Sequence, residues 1–269
     1  MPNNAPIGLY DSGLGGLSVV REVFRQLPNE SIIYMGDTAR VPYGGRSAAE
    51  LLDFNREILG FLLEKGVKAV VVACNTSSAI ALPALDAECP VPILGLIEAG
   101  SRAAVRSGRR IGIIATEATI RSEAHLQAIA ALGHTCDVFP QACPTLVPMI
   151  ESGLWEGPEA SAIVAESLGP LLAANLDTLV LGCTHYPFVS PLIHQTLGAH
   201  VRLIDPAGET VRALGEILAA HDLEAEHGLS RHKVYVSGNP EAFEASAQLL
   251  MGGSLPSVEQ ISVKLPTPL

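Results

Sequence analysis

The sequence predicts an α/β fold organised around parallel sheets in two related halves, and three observations carry that expectation. Apolar runs of strand length alternate with amphipathic segments of helix length, the pattern of βαβ units. Two cysteines end matched apolar runs, Ala69-Val70-Val71-Val72-Ala73-Cys74-Asn75-Thr76 and Thr178-Leu179-Val180-Leu181-Gly182-Cys183-Thr184-His185. Such runs read as strands buried on both faces, and the polar residue ending one emerges where open α/β sheets place their active sites. A long-period echo supports duplication. Ile7-Gly8-Leu9-Tyr10-Asp11-Ser12 resembles Ile111-Gly112-Ile113-Ile114-Ala115-Thr116, 104 residues on, and the two cysteines follow in the same order, 109 residues apart.

In chain order, short apolar runs place strands near 6–10, 31–35, 69–73, 92–95, 110–115, 135–139, 178–182, 201–204 and 233–237. Longer segments between them place helices near 16–27, 47–65, 77–88, 98–107, 122–132, 158–174, 187–197, 207–220 and 240–251. No low-complexity linker or short-period repeat interrupts this alternation. His221 to Lys233 is the most polar stretch and reads as a surface connection.

Composition narrows the class. The chain has 269 residues, 48% of them hydrophobic, which is enough to bury a large core and suits one large or two medium domains. No stretch reaches the roughly 18 apolar residues of a membrane helix. Met1-Pro2-Asn3-Asn4 lacks a basic region followed by a long apolar segment, so a cytoplasmic protein is expected. Five cysteines without CxxC spacing read as reduced thiols. A net charge of -11 disfavours nucleic acid and anionic membranes as partners, and an anionic small substrate would need local backbone donors and helix ends to hold it.

Four loop segments at predicted strand ends carry the chemistry. In Asp11-Ser12-Gly13-Leu14-Gly15-Gly16, glycines permit a tight turn before a helix amino end. It is a poor dinucleotide fingerprint because Ser18 fills the third glycine position, although Asp37 stands where a ribose ligand would. Asp37-Thr38-Ala39-Arg40-Val41-Pro42-Tyr43-Gly44 follows the second strand as a turn. After Cys74, a cap at Thr76 or Ser77 would aim the helix amino end at the thiol and favour the thiolate. After Cys183, the His185 imidazole can tune a neighbouring thiol. Cys89, Cys136 and Cys143 lack this strand-end setting and read as packing residues.

Two thiols at one cleft are compatible with several chemistries. Redox cycling would require sulfurs within bonding reach, which no spacing here enforces. Zinc would have Cys74, Cys183 and His185 as ligands, with an awkward geometry at 183 and 185. Acyl transfer leaves the second cysteine without a role. Proton transfer at carbon uses both, one sulfur removing a hydrogen from one face and the other delivering one to the opposite face. Contact distances then put the sulfurs about 6–7 Å apart, too far for a disulfide.

The chain resembles the cofactor-independent glutamate racemases of the aspartate/glutamate racemase superfamily. The resemblance runs nearly end to end through Gly8-Leu9-Tyr10-Asp11-Ser12-Gly13-Leu14-Gly15-Gly16, Gly36-Asp37-Thr38-Ala39-Arg40-Val41-Pro42-Tyr43-Gly44, Ala73-Cys74-Asn75-Thr76 and Gly182-Cys183-Thr184-His185-Tyr186-Pro187. The Pro42-Tyr43-Gly44 and His185-Tyr186-Pro187 segments resemble the glutamate branch, whereas aspartate racemases typically carry an acidic residue after Cys-Thr.

The resemblance implies two similar α/β domains with mainly parallel sheets facing each other across a central cleft and related by a pseudo-twofold. One would comprise 1–97 with 206–269, the other 98–205. It implies Cys74 and Cys183 as catalytic acid/base residues, with Asp11, His185 and Glu151 assisting. It implies substrate contacts from Asp11, Ser12, Tyr43, Gly44, Asn75, Thr76, Thr184 and His185, with Thr116 and Thr119 as further candidates. Backbone N–H groups after Ser12, Asn75 and Thr184 would stabilise the carboxylate as carbanion character develops. Arg40 and Arg121 read as solvated surface charges rather than carboxylate clamps. No cofactor and no metal are expected, and the partner is a small molecule, L- or D-glutamate, with no nucleic acid or membrane; a homodimer stays open. The implied activity supplies D-glutamate for peptidoglycan. Another amino-acid racemase, aspartate included, and a non-catalytic small-molecule binder on the same scaffold are the alternatives.

Overall fold

The computed structural model describes residues 3–226, 230–251 and 257–262. Met1 and Pro2 of the amino-terminal segment, and 227–229 of the polar connection, lie outside the described residues. Strands are β1 (Ile7–Asp11), β2 (Ile32–Gly36), β3 (Ala69–Val72), β4 (Ile93–Gly95), β5 (Arg110–Ala115), β6 (Asp137–Ala142), β7 (Thr178–Gly182), β8 (Arg202–Ile204), β9 (His232–Val236) and β10 (Val258–Gln260). They form two all-parallel sheets, β10-β9-β2-β1-β3-β4 and β6-β5-β7-β8. The first four strands of each set run in the same spatial order, second, first, third, fourth, which is the duplication heard in the sequence echo. β3 and β7 therefore occupy equivalent places, and each hands its chain directly to a cysteine.

The helices are α1 (Leu17–Gln26), α2 (Ala48–Glu64), α3 (Asn75–Ile80), α4 (Leu82–Glu88), α5 (Leu96–Ser107), α6 (Glu117–Arg121), α7 (Ala124–Ala131), α8 (Leu146–Glu151), α9 (Gly157–Leu168), α10 (Ser190–Leu197), α11 (Pro206–Ala220) and α12 (Pro240–Met251). Both faces of each sheet are covered, so the strands read as continuous apolar runs. Ile7 and Leu9 join a core with Val20, Val71, Val211 and Leu214, while Tyr10 faces another with Val70, Val72, Leu59 and Leu62. In the second sheet Leu179 and Leu181 pack with Leu146, Leu168 and Ile193, and Ile111, Ile113 and Val180 with Ala103 and Ala104 of α5. α5 touches both α11 and β7 and so bridges the two sheets.

Local signals explain several helix starts. Ser47 and Glu50 form a capping box on α2, Thr116 accepts from Thr119 N at the start of α6, and Asp205 accepts from Ala207 N at 3.0 Å before Pro206 opens α11.

Several boundaries differ from expectation. The helix expected over 77–88 is two helices that meet at Ala81, and that expected over 158–174 becomes a 3-10 helix at Gly169. α6 and α8 were not foreseen; at five and six residues they are too short to show a helical period. β6 runs past Pro140, which reads as a strand stop but is tolerated because β6 is an edge strand. β10 is a three-residue edge strand with little apolar signal.

One buried ion pair ties the ends of the first sheet together. Lys68 Nζ lies 2.6 Å from Glu30 Oε2, with the two side chains 1% and 5% exposed, and donates to the Asn3 and Leu223 carbonyls at 2.6 Å. Lys68 sits at the entrance to β3, the strand that carries Cys74. Removing one partner of a buried pair strands the other charge. Lys68→Met is expected to lower stability by about 3–5 kcal/mol in denaturant unfolding, and Lys68→Met combined with Glu30→Leu to recover much of it.

Candidate active site

The carboxyl ends of β1, β3, β5, β6 and β7 open on one cavity of about 210 Å³, lined by Ser12, the 41–45 turn, Cys74, Asn75, Thr76, Thr116, Glu117, Cys143, Pro144, Val147, Pro148, Cys183, Thr184 and His185. Residues from both sheets contribute. Two glycines allow the halves to close on each other. A Cβ on Gly15 would lie 2.2 Å from Thr184 Oγ1, and one on Gly44 2.9 Å from Thr116 Cβ, so any side chain there would prop the cleft open.

Cys74 follows β3, is 5% exposed and stands at the N-cap of α3 with no side-chain cap hydrogen bond. Its sulfur is 4.0 Å from Ser12 Oγ. The expected cap at Thr76 or Ser77 does not form, since Cys74 itself holds that position. Nor is the thiolate favoured: burial first, and then the neighbouring Asp11 carboxylate, push the Cys74 pKa up to about 12, with hydrogen bonds from Ser77 offsetting only part. A six-residue helix dipole does not outweigh desolvation with a like charge alongside, so unliganded Cys74 is a thiol.

Cys183 follows β7, is 7% exposed and has the opposite setting. Its sulfur is 3.6 Å from His185 Nδ1, and His185 Nε2 donates to Glu151 Oε1 at 2.5 Å. Burial alone would lower the His185 pKa. Cys183 and Glu151, acting as hydrogen-bond partners and as negative charges, outweigh it and hold the imidazole well above its ordinary value. A negative charge on Cys183 thus has a cation beside it, and one on Cys74 has none.

Asp11 is fully buried and does not line the cavity. Its Oδ2 accepts from Gly13 N at 3.1 Å and Gly16 N at 2.9 Å, while Oδ1 has no partner. Burial raises its pKa, and the His185 charge and the backbone donors counter that rise. The Gly13 N–H expected to face a substrate carboxylate is therefore already committed to Asp11. Asn75 lines the cavity with both amide atoms buried and unpartnered. A buried amide without partners inside a cavity marks where a ligand's polar groups fit. Thr76 Oγ1 lies 3.0 Å from Thr116 Oγ1 and 3.2 Å from Thr119 Oγ1, joining the two halves; Thr119 backs this cluster without lining the cavity. Glu151 likewise acts on His185 from outside the lining.

Tyr43 lines the cavity, but its hydroxyl donates to Asp37 Oδ2. Asp37 is fully buried and also accepts from Arg40 Nε and Ser237 Oγ, which leaves it unavailable to a ribose. Arg40 is not a solvated surface charge: it pairs with Asp37 and Glu57 and lies 4.1 Å from the Phe54 ring centroid. Neither Arg40 nor Arg121 lines the cavity, and Arg121 is exposed.

Cys143 is not a mere packing residue. It is fully buried at the end of β6 and lines the cavity. Ending the strand at 139 hid its strand-end position. The wall of Val41, Pro42, Val147 and Pro148 was also missed, because apolar loop residues carry no chemical signature. All five cysteines are free thiols.

Two parallel sheets of matching strand order each deliver a buried thiol to one cavity, which defines the candidate site of an α/β protein. The family model described as Asp/Glu/Hydantoin racemase matches residues 8–214, and the chain belongs to that family. It is 47% identical to the glutamate racemase of Gloeothece citriformis over 258 residues, covering 96% of this chain and 92% of the relative. The glutamate racemase of Synechocystis is also 47% identical, over 97% of this chain and 94% of its own. Among solved structures, a glutamate racemase isoform from Bacillus anthracis superposes with a TM-score of 0.93 at 38% identity, covering 99% of this chain and all of that one. The Francisella tularensis glutamate racemase, solved in complex with D-glutamate, superposes with a TM-score of 0.90 at 34% identity, over 97% and 98% of the two chains.

The raised His185 pKa has a testable sign. A group whose pKa is higher folded than unfolded adds stability that is complete below about 6.5 and is lost as pH rises through the folded value. Glu151→Gln removes one of the two groups raising it, so the His185 ring resonances in an NMR titration are expected to shift at lower pH. The gap in melting temperature between wild type and Glu151→Gln should shrink as pH rises through that window.

Proposed function

We propose that this chain is a glutamate racemase that interconverts L- and D-glutamate by two-base proton transfer, with Cys74 and Cys183 as the two bases and no cofactor. The observation carrying this reading is that the topologically equivalent strands β3 and β7 end at buried thiols lining one cavity. In each direction one sulfur, as thiolate, takes the α-hydrogen, and the opposite sulfur, as thiol, gives its proton to the other face. The products are the mirror-image amino acid and a site whose thiol and thiolate have exchanged.

The electrostatics fit those roles unequally. His185, paired with Glu151, supports negative charge on Cys183, whereas Cys74 beside Asp11 waits as the acid. An ammonium group bound near Asp11 and Cys74 supplies the cation that Cys74 lacks, and then supports its thiolate for the reverse direction. Ser12, Asn75, Thr76, Thr116, Thr184, His185 and the Tyr43–Gly44 turn hold the substrate, with Asp11, Thr119 and Glu151 orienting them. Among the described residues no Lys or Arg lines the cavity, so the carboxylates rely on hydroxyls, the Asn75 amide, backbone N–H groups and His185. Carbanion character is stabilised where those donors meet the α-carboxylate, and closure of the cleft strengthens them by excluding water.

The two-domain division, 1–97 with 206–269 and 98–205, belongs to this reading, and the allotment of strands to sheets supports it. So does a cytoplasmic site of action, where D-glutamate is made for peptidoglycan; among the described residues no helix is long and apolar enough to cross a membrane.

Incubation with L-glutamate in D2O, with EDTA and without pyridoxal phosphate, is expected to remove optical rotation while deuterium enters the α-position. Cys74→Ala and Cys183→Ala should each lower turnover by about 10²–10⁴-fold or more. Faster turnover of aspartate than glutamate would redirect the substrate assignment, and exchange with neither would defeat the racemase reading.

A further inference from the structure

The 41–45 turn is anchored from a strand far away in sequence. Ser237, immediately after β9, lies beyond the region matched by the family model, which ends at residue 214. Its hydroxyl accepts from Ala39 N at 2.9 Å and donates to Asp37 Oδ1 at 2.7 Å. Gly238 N donates to Thr38 Oγ1 at 2.9 Å, so two consecutive residues of the carboxyl-terminal part grip the loop after β2. Asp37 passes the anchor on. Its other oxygen accepts from the Tyr43 hydroxyl and from Arg40 Nε at 2.6 Å, and Arg40 is itself fixed by Glu57 and Phe54.

The far end of this relay is the substrate cavity. Tyr43 and Gly44 line it, Tyr43 is almost wholly buried, and Gly44 rests against Thr116 of the other half. None of Ser237, Asp37 and Arg40 lines the cavity, so none is placed to touch a substrate. A fully buried carboxylate with three side-chain donors is held in one orientation, and through the Tyr43 hydroxyl it fixes where the turn stands.

We propose that Ser237 is a positioning residue of the active site, setting substrate affinity through Asp37 and Tyr43. This rests on the racemase reading above for its substrate. The Ser237 relay orients a wall that contacts the substrate in ground and transition state alike, and loss of uniform binding of that kind appears in KM with kcat preserved.

The test compares wild type with Ser237→Ala, Ser237→Thr and Tyr43→Phe for glutamate racemisation, with folding checked by circular dichroism. Ser237→Ala is expected to raise KM about five- to tenfold with kcat within about twofold, and Ser237→Thr, which keeps the hydroxyl, to restore KM. Tyr43→Phe removes the opposite end of the relay and should raise KM alike; it also tests the relay if Ser237→Ala fails to fold. In the double variant Ser237→Ala with Tyr43→Phe the two effects should not add. An unchanged KM in a folded Ser237→Ala protein, additive effects, or a fall in kcat alone would overturn the proposal. If wild type does not turn glutamate over, calorimetric binding of glutamate replaces KM. Weaker binding in Ser237→Ala then upholds the positioning role although racemisation has failed, and equal binding, or none in wild type, rejects it.

Discussion

Cys74 and Cys183 are both withdrawn from water, and the groups beside them carry opposite charge: the Asp11 carboxylate next to the first, the His185 imidazolium next to the second. Burial makes that difference matter, because charge interactions that water would screen retain more of their strength where the groups are buried. Both sulfurs are buried and line one cavity between the two halves. Closure requires the two halves to approach within side-chain distance, and the approach is possible because Gly15 and Gly44 present bare backbone to Thr184 and Thr116.

The scaffold builds this arrangement by repetition. Each sheet places its first and third strands side by side away from its edges, where parallel strands are covered on both faces and least free to shift. Loops leaving the carboxyl ends of β1, β3, β5 and β7 then converge on the cavity. The halves are nevertheless not equivalent. At the position after β2 stands Asp37, hub of a buried polar network, and at the matching position after β6 stands Cys143, in an apolar wall. Equivalent backbones thus carry different side chains, and the asymmetry between the cysteines arises from Asp11 beside Cys74 and from His185 with Glu151 beside Cys183, not from the fold.

Among the described residues, neither Lys nor Arg lines the cavity. Hydroxyls and an unpartnered amide provide directional, uncharged contacts. Charged side chains stand on both sides of the site: His185 with its Glu151 partner beside Cys183, Asp11 beside Cys74, and Glu117 in the lining.

Much of this was legible in the residues alone. The buried strands ending in Cys74 and Cys183, the echo of Ile7–Ser12 in Ile111–Thr116, and the capping signals at Ser47 and Asp205 are local patterns, and local sterics and burial are what a sequence encodes directly. Short elements without a full period, such as α6, α8 and β10, were not legible, and neither was the edge position that lets β6 run through Pro140 to Cys143. The charge states were decided only in three dimensions. A helix amino end after Cys74 suggests a thiolate, but the Asp11 side chain from another strand and complete burial reverse that. Arg40 reads as a surface charge until Glu57, Phe54 and Asp37 enclose it. Ser237 has no signal at all beside a loop 200 residues earlier. Sequence determines which segments are strands and which side chains they carry; the field at a sulfur depends on distances between segments, and those exist only once the sheets have packed.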